Sequence, residues 1–320
     1  MKHILPISII IPTINRPNTL LETLMSFLNC EFCVDEIIIV DQSDRELFKE
    51  TESNISKIGS CQTNIKHLFS DVQSSAASRN TGLRNANNDI VVFSDDDVTL
   101  VDSTIFKSIF DLMSNDNISL IAGLDVNAKK GRPIYKKFLS SLFLIAPFSD
   151  SKSYLSLGLF GRLPSKMKTQ QVCTSWAMGY FFVIKKSIAL SNNIYFDENL
   201  KKYAYAEDLD FSYRYCMVLR KNNLLSIVDK NVIVSHNVSN EFRFNGIETL
   251  SKVFINREYL RYKWHKNNVI SKVLMWWSNL GYRLSVLHLY GFKKVSKAYS
   301  IYRKNKHLIK EGLIDQISYL

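Results

Sequence analysis

Three consecutive carboxylates, Asp95, Asp96 and Asp97, follow directly on a short apolar run, Ile90 to Phe93, in the stretch DIVVFSDDDVT. A β-branched and aromatic run of that length reads as a buried strand, and in a parallel sheet it delivers whatever follows to the carboxyl-end crevice where ligands bind. Three acids gathered there repel one another unless a cation sits among them. A hard divalent ion with oxygen ligands, shared with a substrate's phosphates, removes that repulsion and gives the cluster a purpose. The alternative is a solvated acidic turn, with Asp97 or a neighbour capping a helix.

A second acidic group, Glu207, Asp208 and Asp210, lies in YAYAEDLDFSYRY at the expected start of a helix carrying Leu209, Phe211 and Tyr215. The helix macrodipole alone accounts for one or two acids at that end. A carboxylate beside aromatic surface also has its pKa raised toward the range of a general base. Single residues carry weaker signals. Asp41 closes an apolar run and either accepts hydrogen bonds from a nucleoside or serves as a turn or capping aspartate. Arg79 either meets a phosphate with its planar fork of donors or is a solvated surface charge. His236 either approaches a metal or phosphate or is a packing residue.

The elements that must position these groups follow from periodicity. Ile7 to Pro12 and Glu36 to Val40 are continuous apolar runs and read as buried strands. Between them Pro17 suits a first helical turn, Thr19 and Glu22 fit a capping box, and Leu20, Leu21, Leu24, Phe27 and Leu28 recur at helical spacing. Strand, helix, strand at this spacing is a crossover unit, hence a parallel sheet beginning at the N-terminus. Ile65 to Phe69 gives a weaker third strand, and Ser74 to Asn87 a helix of small residues able to lie close to the sheet. Thr104 to Met113 reads as a helix, and Ser119 to Val126, Gly179 to Lys185, Leu224 to Val228 and Val232 to Val234 as strands. Lys129 to Gln171 has no clear period, as expected of a functional loop or a poorly ordered segment.

With 320 residues and 46% hydrophobic content the chain supports an ordinary packed core. No basic, apolar and small-residue leader and no membrane-length apolar run is present, which predicts a cytoplasmic protein. Five cysteines form no regular framework, and the lone CxxC of Cys30 and Cys33 is expected to be reduced thiol. Charge is unevenly placed: residues 251–320 hold 14 Lys and Arg against 3 Asp and Glu, a net +11, whereas residues 1–250 hold 27 of each. Helical period in the tail puts Val273, Trp276, Trp277, Leu280, Leu284 and Leu287 on one apolar stripe, followed by Lys293, Lys294, Lys297, Arg303, Lys304 and Lys306. Tryptophan with lysine suits an anionic membrane interface; the alternative is a helical cap with a solvated basic face.

On these motifs the sequence resembles the inverting family-2 glycosyltransferases of the GT-A fold. ISIIIPTINRP is similar to the family's opening strand and loop, EIIIVDQSD to its nucleotide-binding strand, and AASRNTGL to its small-Arg-Asn-x-Gly helix. FSDDDV is similar to its D-x-D metal motif, WAMGYFFVIKK to its acceptor-side strand and YAEDLDFSYR to its E-D motif. The resemblance spans roughly residues 5–240. It implies an α/β, Rossmann-like and mostly parallel central sheet flanked by helices over residues 1–245, with a helical basic extension over 246–320.

The resemblance also implies a nucleotide sugar, favouring a UDP-sugar, against Pro12, Thr13, Asp41, Arg79, Asp95 and Asp96. A Mg2+ or Mn2+ ion is implied on Asp97 and Asp95 with His236 in reach, and Asp208 is implied as general base with Glu207 orienting the acceptor. Gln42 stands where many relatives have a second acid. The basic tail adds the expectation of a lipid-linked saccharide acceptor in surface polysaccharide synthesis, at the inner face of the cell membrane. Two rival functions are weaker. A sugar-nucleotide-forming nucleotidyltransferase needs a glycine-rich phosphate loop, and PTINRPN has no glycine. A nucleic-acid-binding protein would use the tail but leave both acidic groups repelling phosphate, so no nucleic-acid partner is expected.

Overall fold

Ile7 to Ile11 carry branched apolar side chains on both faces of the backbone, a pattern only an interior strand can bury. Ile7, Ile9, Ile10 and Ile11 are all fully inaccessible. The computed structural model describes residues 2–58, 62–128, 131–200, 206–237 and 246–319; Cys61, Lys129 and Tyr203 to Tyr205 lie outside the described residues. In chain order the elements begin with β1 (Ile4–Thr13), α1 (Pro17–Leu28), β2 (Cys33–Asp41), α2 (Arg45–Ser56), β3 (Asn64–Phe69), α3 (Ser75–Asn85) and β4 (Ile90–Ser94). They continue with β5 (Val98–Leu100), α4 (Ile105–Met113), β6 (Ile118–Asp125), α5 (Ile134–Leu142), β7 (Tyr154–Leu155), β8 (Gly161–Arg162), β9 (Gln171–Cys173) and β10 (Phe181–Lys185). Then follow α6 (Lys186–Ser191), α7 (Glu207–Lys221), β11 (Leu225–His236), α8 (Gly246–His265), α9 (Val269–Lys304) and α10 (Lys306–Glu311).

The chain divides into two units, the first made of Met1–Lys129, Met167–Glu198 and Glu207–Ser239, the second of Lys130–Lys166, Asn199–Ala206 and Asn240–Leu320. The division is therefore not a single cut at residue 245: the aperiodic stretch after Lys129 belongs with the C-terminal helices.

The first unit is built on a nine-stranded sheet in the order β3-β2-β1-β4-β10-β6-β11-β5, with β9 also paired to β11. β1 pairs in parallel with β2 and β4, β2 with β3, and β6 with β11, whereas β5, β9 and β10 run the other way. Pro12 lies beyond the last pair that β1 makes with β4, Ile10 with Phe93, so that partner does not require its missing N–H. The two short strands expected between Leu224 and Val234 are one strand, β11, with a register shift between Val228 and Ile233 where the polar DKN segment interrupts the apolar pattern.

α1 starts at Pro17 in its first position and no side chain caps it. The expected capping box of Thr19 and Glu22 does not form, because proline's fixed φ and absent N–H open the helix two residues earlier. Against the other face, α3 is capped by Ser74, whose Oγ accepts from the Ala77 N–H at 3.3 Å. A methyl group at Gly82 would overlap Ile10 of β1, so the small-residue helix does lie close to the sheet. Cys30, Cys33, Cys173 and Cys216 are free thiols, and burial pushes Cys30 up to about 12, far from a reactive thiolate.

In the second unit α8 packs on α9 through aromatic contacts of Phe254 with Tyr282, Tyr299 and Tyr302 and through a buried polar cluster. Arg257 of α8, fully buried, donates to the Gly158 carbonyl at 2.7 Å, to Asn279 Oδ1 at 2.9 Å and to Ser278 Oγ at 2.7 Å, and its guanidinium lies 3.7 Å from the centre of the Phe160 ring. Gly281 lets Phe143 close onto α9, and Trp277 Nε1 donates to the Leu142 carbonyl at 2.8 Å. Of the expected apolar stripe, Val273, Trp276 and Leu284 are exposed and Trp277, Leu280 and Leu287 half-buried, while Met275, Ser278, Asn279, Gly281 and Val286 are buried along the first segment. At Gly291 the chain takes φ 74°, breaking α9 into two helical segments. No helix among the described residues is long and apolar enough to cross a membrane.

One buried acid ties three strands of the sheet together. Glu36 on β2, 1% exposed, accepts from Ser8 Oγ at 2.6 Å, Lys66 Nζ at 2.6 Å, the Asn87 N–H at 2.5 Å and Asn87 Nδ2 at 3.0 Å. Burial alone would raise its pKa, but the donors from Asn87, Lys66 and Ser8 outweigh it and hold the carboxyl below its ordinary value. A depressed carboxyl stabilises the fold at pH above its unfolded pKa, and that contribution is lost as pH falls through the folded value. Glu36→Gln is expected to lower the unfolding free energy by about 1–3 kcal/mol at neutral pH. Urea melts across acid pH should show the wild type and variant converging as pH drops through the carboxylate range.

Candidate active site

The carboxyl ends of β1, β2 and β4 deliver Thr13, Asp41 and Ser94, and the residues that follow build the site within the first unit. The three acids after β4 are not a solvated turn. Asp96 and Asp97 are 5% and 7% exposed, and Val98 enters β5 rather than a helix.

Each of the three has a different employment. Asp96 accepts from Thr13 Oγ1 at 2.6 Å and Arg16 Nη1 at 3.0 Å, and its carbonyl accepts from Thr23 Oγ1 at 2.7 Å. It therefore locks the loop after β1 to the acidic turn, and burial lifts it to about 7 against the pull of Arg16. Asp97 lies 3.1 Å from His236 Nε2 and 3.5 Å from Arg16 Nη1. Asp95 accepts from Arg79 Nη2 at 2.6 Å.

Asp95, Asp97 and His236 each bring one ligand atom to within 4.8 Å of the others. Two carboxylate oxygens and an imidazole nitrogen suit a divalent ion of the magnesium or manganese kind, with the remaining positions left to substrate oxygens or water. His236 is held at the end of β11 by stacking on Tyr180, ring centres 5.0 Å apart. Burial would lower its pKa, but its hydrogen bond to Asp97 and the charges of Asp95 and Asp97 raise it.

Arg79 is the hub. It is 3% exposed, on the buried face of α3, and it donates to Asp95, Glu207, Ser75 Oγ at 2.6 Å and the Gly179 carbonyl at 3.4 Å. It is therefore not a solvated surface charge. Glu207, at the start of α7, is 5% exposed and burial raises it to about 7 although Arg79 pulls it down; its second oxygen has no hydrogen-bond partner. Asp208 follows, with Oδ2 accepting the Gly179 N–H at 2.7 Å and Oδ1 accepting the Leu209 N–H at 2.7 Å. Burial raises its pKa despite these two donors.

The two acidic groups, more than a hundred residues apart in sequence, thus converge on one guanidinium. Asp41 stands slightly apart. It is paired in register with Thr13, is 1% exposed, and accepts from the Ser43 N–H at 2.9 Å and from His67 Nε2 at 3.1 Å. Burial would raise it, but His67 and Ser43 hold it below its ordinary value. Pro12 is buried beside it with no polar partner of its own to offer except its carbonyl.

Among the residues of this site that carried no assignment in the sequence are two that pair with its acids, Arg16 and His67. Arg16 lies inside the PTINRP loop, where only its distance from two later aspartates reveals it. His67 sits in the weakest strand, stacked on Phe48 at 4.1 Å, and nothing in its neighbours along the chain marks it.

A mostly parallel α/β sheet with acids gathered at its strand ends puts the candidate site in the crevice where such sheets bind ligands. The chain belongs to glycosyl transferase family 2, whose sequence profile matches residues 8–188. No curated protein sequence matches it. Among solved structures it is similar to the mannosyltransferase PcManGT from Pyrobaculum calidifontis, in complex with GDP-Man and Mn2+, at 11% identity and TM-score 0.55, covering 97% of this chain and 85% of that one. It is also similar to S. aureus TarS 1–349 in complex with UDP-GlcNAc, at 14% identity and TM-score 0.55, covering 98% and 89%. GalNAc-T7 with UDP, GalNAc and Mn2+ matches at 14% identity and TM-score 0.56, covering 86% and 54%. These likenesses give the fold as GT-A.

Replacing Arg79 leaves the buried Glu207 and the half-buried Asp95 without their cation. Arg79→Met is expected to destabilise the protein by about 3–5 kcal/mol, with a smaller loss for Arg79→Met combined with Glu207→Gln. Denaturant melts of the two single variants and the double variant measure the coupling; additive losses would show that Arg79 and Glu207 do not act as a pair.

Proposed function

We propose that this glycosyltransferase moves a sugar from a nucleotide-diphosphate donor to an acceptor hydroxyl with inversion at the anomeric carbon. The observation that carries this is the continuous chain from the Asp95, Asp97 and His236 triad through Arg79 to Glu207 and Asp208. It sets a diphosphate-neutralising group and a candidate base side by side.

Asp95, Asp97 and His236 would hold a divalent cation, which when bound neutralises the charge developing on the departing nucleotide diphosphate. Asp208 takes the proton of the acceptor hydroxyl as that oxygen attacks the anomeric carbon and the bond from that carbon to the diphosphate oxygen breaks. Its two backbone donors fix the carboxylate's orientation, and its raised pKa brings it closer to the basicity the step requires. Glu207, held by Arg79, positions the acceptor. Thr13 and Asp41, in register at the ends of β1 and β2, meet the nucleoside, with His67 and Ser43 holding Asp41 in place. The nucleotide is taken as uridine, as in the TarS and GalNAc-T7 structures, whereas PcManGT holds GDP-Man; Mn2+ in the PcManGT and GalNAc-T7 structures supports the cation.

The acceptor is a lipid-linked saccharide at the inner face of the membrane, in the synthesis of a surface polysaccharide. Two features of the second unit support a membrane location. α5 has no buried residue and exposes Ile134, Tyr135, Phe138, Leu139 and Leu142. The first turns of α9, which meets α5 at the Trp277 to Leu142 hydrogen bond, expose Val269, Ile270, Val273 and Trp276. Apolar and aromatic side chains beside a basic segment are the composition of an interfacial surface.

A panel of sugar nucleotides is expected to contain one from which the protein releases nucleotide in a divalent-ion-dependent manner. With that donor, Asp208→Asn is expected to retain donor binding while transfer falls about a hundredfold or more. In the wild type, activity rises with pH as Asp208 ionises, on a limb displaced above the ordinary carboxylate range. Wild-type turnover in Asp208→Asn removes it as the base.

For the location, full-length protein is expected to float with anionic vesicles, and Phe138→Asp combined with Trp276→Asp to abolish flotation without changing thermal unfolding. Flotation unaffected by the pair would separate the exposed apolar surface from the membrane.

A further inference from the structure

The break in α9 at Gly291 brings its two segments into a different relation from that of a straight helix. On the second segment Ser296, Tyr299, Ser300, Arg303 and Lys304 recur at three- and four-residue spacing and so share one face. Arg283, from the first segment, lies against that face with its guanidinium 4.4 Å from the centre of the Tyr299 ring. These six residues line a cleft of about 360 Å³, within the size range of small-ligand sites. Three of them are cationic, three carry hydroxyls, and none is acidic.

That lining differs from the surroundings of the ion-paired arginines. Arg79, Arg132, Arg214 and Arg261 each face a carboxylate. Arg283 faces an aromatic ring instead, and its Nε is buried with no hydrogen-bond partner in the protein. Stacking on Tyr299 fixes the guanidinium plane while leaving its in-plane N–H groups available. Convergent Arg, Arg and Lys with serine hydroxyls between them are the donor set for a tetrahedral oxyanion: guanidinium forks match pairs of its oxygens and the hydroxyls complete the shell.

We propose that the cleft across the α9 break binds a phosphate group, as a second anion site apart from the donor site and independent of how the donor site is read. Two sources present this chemistry, a phospholipid headgroup or a soluble phosphate. Full-length protein is titrated with inorganic phosphate by calorimetry at constant ionic strength against chloride. Arg303→Glu combined with Lys304→Glu is compared with Lys293→Glu combined with Lys294→Glu, the same charge change on exposed residues outside the lining.

Saturable binding weakened about tenfold or more by the first pair, and altered no more than roughly twofold by the second, is the expected result. All four positions are exposed, and unchanged thermal unfolding confirms that both variants fold. Absence of saturable binding, or equal weakening by the two pairs, overturns the site, because diffuse charge then explains everything. Flotation with phosphatidylglycerol and phosphatidylcholine vesicles separates the sources. Loss in the cleft variant, with competition by inorganic phosphate, assigns the headgroup. Unchanged flotation beside cleft-dependent phosphate binding assigns a soluble phosphate.

Discussion

A guanidinium sealed inside the sheet's carboxyl end is the constraint on which the active site depends. Asp95, Glu207 and Asp208 are each pushed toward the neutral form by burial, and without a fixed positive charge they would not stay ionised side by side. Arg79 supplies that charge from α3, and the helix has to come close to the sheet for it to do so. Ser74 fixes where the helix begins, and Gly82 gives up its side chain so that Ile10 can pack against the backbone. Choices that look like helix chemistry are in this way choices about the electrostatics of a site two turns away. Because the donors are in place before any substrate arrives, little reorganisation is left for the reaction itself.

Much of the first unit was legible because its signals are local. Continuous branched runs at Ile7 to Ile11 and Glu36 to Val40 can be buried only in interior strands, and the small residues of α3 fit only a close approach. The direction of β10 was not legible: it lies between β4 and β6 and opposes both, a pairing that FFVIK shares with any buried strand. Pro17 does open α1, and the capping box of Thr19 and Glu22 does not form because proline at the first helical position overrides a matching cap pattern two residues later. Within the site, the aspartates and the E-D pair announced themselves by type. The burial of Arg79 did not, since its partners lie 16 and 128 residues away along the chain. Arg16 and His67 were missed for the same reason. Their meaning rests entirely on residues that only the fold brings near.

The second unit shows the opposite failure of pattern. Hydrophobic periodicity assumes that the apolar face of a helix is the buried one. Beside Met275 and Val286, α9 also buries Ser278, Asn279 and Gly281, because α8 presents an arginine, and Arg257 needs oxygen acceptors and room. Two of those acceptors are side chains of α9 and one is the backbone of the loop at Gly158, so a single cation orders two helices and the loop. Around that polar contact Val273, Trp276 and Leu284 stay exposed, while Met275, Val286, Val295, Ile301 and Tyr302 of the same helix are buried.

A fold can compensate a concentrated charge with its own residues or with something it binds, and the lining of each cluster tells which. Glu36 is fully served from within, by a lysine, a serine and an asparagine. The acids after β4 are served in part: Arg79 and Arg16 pair with Asp95 and Asp96, while Asp97 meets a histidine and a more distant arginine and brings an oxygen into the Asp95, Asp97 and His236 set that could hold a cation. The cleft of α9 has no acid among its lining residues at all. Read in that order, the three clusters run from structural to ligand-dependent compensation. The gradient follows position in the fold: the sheet interior must be neutral before it can close, whereas a cluster at a strand end or a helix break can remain charged because its counter-ion arrives after folding.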